Sequence, residues 1–102
     1  MSNYIIKQYS YDRIKELNNK IGKDWYSIKV SKNKSKKIDV FNQDKLVAQI
    51  GASGMNDYPS YILSKGKTYA DERRRLYYLR HTTPDIKDGE VTPSWYAKYL
   101  LW

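Results

Sequence analysis

The residues of this chain best suited to chemistry are concentrated between Tyr69 and His81, in the run YADERRRLYYLRH, which holds four arginines and the only histidine. On a helical wheel at roughly 100° per residue, Tyr69, Ala70, Leu76, Tyr77 and Leu79 fall in one half. Arg73 and Arg80 lie inside that half, and Asp71, Arg74 and Arg75 lie opposite. The wheel therefore predicts that Arg74 and Arg75 are solvated, with Asp71 and Arg75 an ordinary i,i+4 pair. An inward guanidinium needs a partner, because an unpaired buried charge is costly. Arg73 and Arg80 are accordingly read as a structural clamp onto Asp57, carbonyl oxygens or the carboxylate of Trp102, with an anion site as the alternative. Planar donor forks commonly tie loops down, so the clamp is the expected reading. His81 could serve as a general base, but at the end of a helix it is expected as a cap.

Little else supports catalysis. The chain has no cysteine, which excludes disulfides, thiolate zinc sites and cysteine nucleophiles, and one histidine argues against catalytic zinc. GASG at 51–54 lacks the Lys-Ser/Thr of a phosphate-binding loop and the spacing of a dinucleotide fingerprint, so it reads as a turn at a strand end. Asp71 and Glu72 are adjacent acids that a helix turns apart. No nucleophile, base and orienting group assemble in the sequence, and the expectation is a non-enzymatic protein without metal or cofactor. A hydrolase or nuclease centred on Arg73, Arg80 and His81 is the weakest reading.

Nineteen Lys and Arg against eleven Asp and Glu give a formal charge of +8, a balance that favours anionic partners. The excess is greatest in residues 25–51, chiefly at Lys29, Lys32, Lys34, Lys36 and Lys37 around a polar turn at 33–36. These lysines could track a phosphate backbone with Trp25 or Tyr26 as stacking surfaces. Equally, they could protect a sheet edge from pairing. No nucleic-acid-binding motif accompanies them.

The elements that must position these groups follow from periodicity. Ile14, Leu17 and Ile21, closed by Gly22, predict a helix beginning at Asp12. Trp25–Ser31, KKIDVFN (36–42) and KLVAQIG (45–51) alternate as strands, the second supplying Ile38 and Val40 to one face and the third Leu46, Ala48 and Ile50. Their short connections predict an antiparallel meander. After the glycine turn, Tyr61–Leu63 reads as a brief extended piece, and Thr68 as the N-cap of a helix through His81. TTPDIKDGEVT reads as a loop, ended by the Thr92 cap and Pro93 of a last helix. That helix is apolar nearly all round, and Trp95, Tyr96, Tyr99 and Trp102 are candidates for a protein interface where they are not core. The expected fold is α+β in one domain over 1–102. It comprises an N-terminal helical extension (1–24), a meander (25–51), and a glycine turn with two helices (52–102), the sheet having three or four strands. The N-terminus lacks the pattern of a cleaved signal, and no run of eighteen apolar residues occurs, so a soluble protein without membrane insertion is expected.

Three blocks, IGASGMNDY (50–58), RRRLYYLRH (73–81) and WYAKYLLW (95–102), resemble in order those of a small family encoded by large eukaryotic double-stranded DNA viruses, the phycodnavirus and mimivirus relatives. The matching positions are Gly51, Gly54, Asp57, Tyr58, Arg73, Tyr77, Arg80, His81, Leu100, Leu101 and Trp102, and the likeness spans roughly residues 36–102. Tyr96 and Tyr99 stand where the family usually has tryptophan, and the N-terminal segment is added. The family is a domain of unknown function and brings no catalytic residues. The resemblance implies a viral origin, and so a location in the virion or the infected cell. With a virion component in view, the expected role is structural, as a small capsid-associated or internal virion component whose aromatic C-terminal region contacts a viral protein or a second copy of the chain. DNA or RNA binding by the lysine-rich turn is the alternative.

Overall fold

The three-stranded sheet is the frame on which everything else is placed. In the computed structural model, which describes residues 1–82 and 84–102, β1 (Tyr26–Val30), β2 (Lys36–Asn42) and β3 (Lys45–Ala52) form an antiparallel meander in the order β1-β2-β3. Gln43 and Asp44, both at positive φ (52° and 66°), make the two-residue β2–β3 turn in the handedness that suits a twisted hairpin. One sheet face carries Ile28, Ile38, Val40, Ala48 and Ile50, all buried. Leu46, expected with them, is 46% exposed. The reason is a bulge: Val40 pairs with Ala48 but Phe41 pairs with Leu46, so Val47 is an extra residue and the alternation breaks there.

Two helices cover the apolar face. Helix α1 (Gln8–Ile21) starts four residues earlier than the sequence pattern indicates, and ends at Gly22, whose left-handed φ of 68° lets its N–H reach the Asn18 and Asn19 carbonyls. It contributes Ile14, while Ile6 on the preceding segment is buried in the same cluster. The last helix, Pro93–Leu101, begins as expected, with the Thr92 side chain accepting from the Trp95 N–H and a proline in the first turn. It contributes Tyr96, Leu100 and Leu101 to the core.

Between sheet and last helix the chain departs from the sequence reading. Residues Tyr58–Lys65 form α2, a helix, not an extended piece at 61–63. Asp57 caps it by accepting from the Ser60 N–H, and Pro59 stands in its first turn, where a missing N–H costs nothing. Helix α3 (Lys67–Arg80) starts before Thr68, with Gly66 as its N-cap. Within the stretch read as a loop, Ile86–Lys87 (β4) and Glu90–Val91 (β5) pair across Asp88–Gly89, both residues at positive φ (54° and 80°). The last helix is thus α4, and the fold is α+β, with four helices, the meander and one small hairpin among the described residues. Among the described residues no helix is long and apolar enough to cross a membrane.

Candidate functional site

A cleft of about 260 Å³ opens between the β3–α2 turn, α3 and α4. Its lining draws on all three sequence blocks, including Gly51, Asn56, Arg73, Tyr77, Arg80, His81 and Trp102. Gly51 is there for two reasons. Its φ of 76° is left-handed, and a Cβ would come within 2.8 Å of both Leu101 Cδ1 and Lys37 Cδ. Glycine therefore lets strand β3, the Lys37 stem and α4 meet at this wall.

The wall behind Gly51 is a buried ion pair. Lys37 Nζ lies 2.9 Å from Asp57 Oδ2, with the two side chains 3% and 1% exposed. The same carboxylate accepts from the Tyr4 hydroxyl at 2.7 Å and, through Oδ1, from the Ser60 N–H at 3.0 Å. Burial alone would raise the Asp57 pKa. The Lys37 charge and the hydrogen bonds from Lys37, Ser60 and Tyr4 outweigh it and hold the pKa below its ordinary value. Tyr4 is pushed upward by burial and by the Asp57 charge, so its hydroxyl stays a donor. Asp57 is thus secured by Lys37 and Tyr4, not clamped by Arg73 or Arg80. Lys37 is also withdrawn from the lysine-rich turn that it adjoins in sequence.

Helix α3 presents a different face from the one the wheel indicates. Ala70 and Tyr77 are buried, with Arg73 and Arg74 half-buried beside them at spacings of three and four, while Leu79 (63%) and Tyr69 (45%) are exposed. Arg74 is therefore not solvated. Its guanidinium lies 3.5 Å from the Tyr58 ring centroid and donates to the Tyr9 hydroxyl at 3.2 Å. Nor do Asp71 and Arg75 pair: Asp71 accepts from Lys67 and the Tyr58 hydroxyl, and Arg75 binds Glu72 at 2.6 and 3.0 Å. The packing of Tyr58 from α2 and Tyr9 from α1 onto Arg74 rotates the inward face, and a wheel drawn for one helix does not contain those neighbours.

Arg73 and Arg80 remain. Arg73 lies 5.5 Å from the Tyr61 ring centroid, and its buried Nε has no hydrogen-bond partner. Arg80 is exposed at the rim. Among the described residues neither forms a hydrogen bond or ion pair. Between them along the helix, Tyr77 is sandwiched by Trp102 (4.3 Å between centroids, 10°) and His81 (3.9 Å, 18°). His81 is the C-cap, its N–H donating to the Tyr77 carbonyl, and its Nδ1 lies 2.9 Å from the same oxygen. A carbonyl only accepts, so Nδ1 carries a proton and Nε2 is the ring nitrogen left for other contacts.

The remaining expected residues lie elsewhere. Tyr96 is 4% exposed and belongs to the core, not to an interface. Trp95 and Tyr99 stack on each other at 5.0 Å and are half-buried, and Arg13 lies 4.1 Å from the Tyr99 ring centroid and donates to the Tyr99 carbonyl. Trp102 is half-buried in the cleft. Lys29, Lys32 and Lys34 are exposed and Lys36 is half-buried. No cluster of three metal-ligating side chains occurs among the described residues. Sequence reasoning missed Lys37 as part of the site, together with Tyr61 and Met55 on its wall. Comparison of the chain with models of protein families, with curated proteins and with solved structures gives no match. The cleft therefore has to be understood from its own chemistry, in which Arg73 and Arg80 line the cavity beside a Lys37 that already has its carboxylate.

Proposed function

We propose that this protein is a non-enzymatic binding component, of the kind that joins structural proteins in a virion, and that it holds an acidic group of a protein partner in the Arg73–Arg80 cleft. The observation that carries the reading is that two guanidiniums line one cavity and, among the described residues, neither has a carboxylate within ion-pair distance, while the neighbouring Lys37 does. The buried, unpartnered Nε of Arg73 is costly to leave unsatisfied, and a bound anion offsets that cost. The viral setting rests on the three-block resemblance alone.

Titration of isotope-labelled protein with inorganic phosphate, followed by amide shifts, tests the site. Saturable shifts at Gly51, Asn56, Arg73 and the Trp102 indole, weakening as salt rises, are expected. Absence of shifts there overturns the reading. Mass spectrometry of purified virions tests the setting: the chain packaged at a defined copy number is expected, and its absence from virions contradicts it.

A second reading, nucleic-acid binding, is favoured by one observation: Lys29, Lys32 and Lys34 are exposed on one hairpin, with Lys29 over the Phe41 ring at 5.6 Å. Titration with duplex and single-stranded DNA across a salt series decides it, since phosphate-backbone binding weakens steeply with salt. Shifts confined to this hairpin would support it, and no binding at low salt would exclude it.

A further inference from the structure

We propose that the group held in the cleft is a dianionic phosphate monoester on an aromatic carrier, as phosphotyrosine presents it on a partner protein. This rests on the anion-binding reading above and specifies its ligand.

Charge is the first argument. Lys37 and Asp57 form a neutral pair, so the cleft keeps two uncompensated positive charges, Arg73 and Arg80. The nearest acids on the same helix are already engaged on its outer side, Asp71 with Lys67 and Glu72 with Arg75. A carboxylate supplies one negative charge, whereas a phosphate monoester carries roughly −1.5 to −2 at neutral pH.

Donor number is the second. The buried Arg73 Nε is unpartnered, and a guanidinium carries five N–H donors. With Arg80 at the rim, these donors outnumber what a carboxylate's two oxygens accept comfortably and suit the three terminal oxygens of a phosphoryl group. The planar guanidinium fork is well matched to that geometry.

Size and wall chemistry select the carrier. About 260 Å³ lies below the roughly 300–1,000 Å³ usual for small-molecule pockets. A single side chain inserted from a partner suits that space better than a whole nucleotide. Met55, Tyr61 and Trp102 line the same cleft, an aromatic and thioether surface on which a phenyl ring packs favourably.

Calorimetric titration with N-acetyl-O-phosphotyrosine amide, N-acetyl-aspartate amide and inorganic phosphate, at one ionic strength, tests the inference. The phosphotyrosine probe is expected to bind about tenfold or more tightly than the aspartate probe, and more tightly than inorganic phosphate. Arg80→Ala, at an exposed position, is expected to weaken the phosphotyrosine probe by about tenfold, and Arg75→Ala to leave it unchanged. A melting curve for each variant confirms the fold. Aspartate binding within about threefold of phosphotyrosine overturns the dianion while leaving the anion site standing. Inorganic phosphate binding as tightly as phosphotyrosine overturns the aromatic carrier. Failure of all three anions to bind overturns both this inference and the reading beneath it.

Discussion

Two groups of positive charge share one wall of this molecule and are treated in opposite ways. Lys37 is enclosed, with a carboxylate, and that carboxylate is also an N-cap and the acceptor for Tyr4. Among the described residues Arg73 and Arg80 have no carboxylate within ion-pair distance, and both line the cleft. A buried ion pair whose members are all hydrogen-bonded fixes the joint between sheet and α2, and removing one member leaves a buried charge uncompensated. Cations without partners contribute little to holding the fold and are available to a ligand. The comparison separates a charge that serves the architecture from charges that serve recognition.

The largest effect is expected where the enclosed group is broken. Asp57→Ala leaves the Lys37 ammonium buried and unpaired and removes the α2 cap, and should cost about 3–5 kcal/mol in urea denaturation. The pH dependence follows from the same pair. The Asp57 pKa is depressed in the folded protein, so its ionised form contributes stability above the unfolded value of about 4, and that contribution is lost as pH falls through the folded value. In Asp57→Asn this acid-side loss should disappear, and the gap to wild type should narrow as pH drops.

Next comes the shared wall. Gly51→Ala forces a left-handed backbone onto a residue with a Cβ and crowds both Leu101 and Lys37 at 2.8 Å, an expected loss of about 3 kcal/mol. Trp102→Ala removes the stack on Tyr77 and should cost about 2 kcal/mol, with anion binding weakened as well. Arg80→Ala sharpens the contrast from the other side. Stability should change by less than about 0.5 kcal/mol, while anion binding falls, and a large loss of stability would place Arg80 with Lys37 as a structural cation.

Much of this architecture is legible in the sequence wherever one element decides its own form. The period-two strands, the Gly22 cap and the Thr92–Pro93 start are local signals, and they stand where the pattern puts them. Two local signals went unread: Asp57 followed by Pro59, which caps α2, and Asp88–Gly89 between Ile86 and Val91, which turns the small hairpin. Other features are not local at all. Lys37 alternates away from Ile38 and would be solvated on a bare sheet, but Tyr4 and Asp57, distant in sequence, enclose it. Arg74 turns inward because Tyr58 and Tyr9 arrive from two other helices. The pairing of Arg73 with Arg80 was visible on the wheel, whereas the absence of any carboxylate to clamp was not, since Asp57 is taken by a residue twenty positions earlier.

The contrast between the enclosed and the open cations is tested most directly by thermal unfolding in phosphate against chloride at equal ionic strength. A ligand that binds only the folded state raises its stability by RT ln(1 + L/Kd), where L is the free ligand concentration. The melting temperature of wild type, and of Lys32→Ala/Lys34→Ala, should rise with phosphate, while that of Arg73→Ala/Arg80→Ala should not move. An equal rise in the arginine variant, or a rise lost only in the lysine variant, would contradict the assignment of recognition to the cleft.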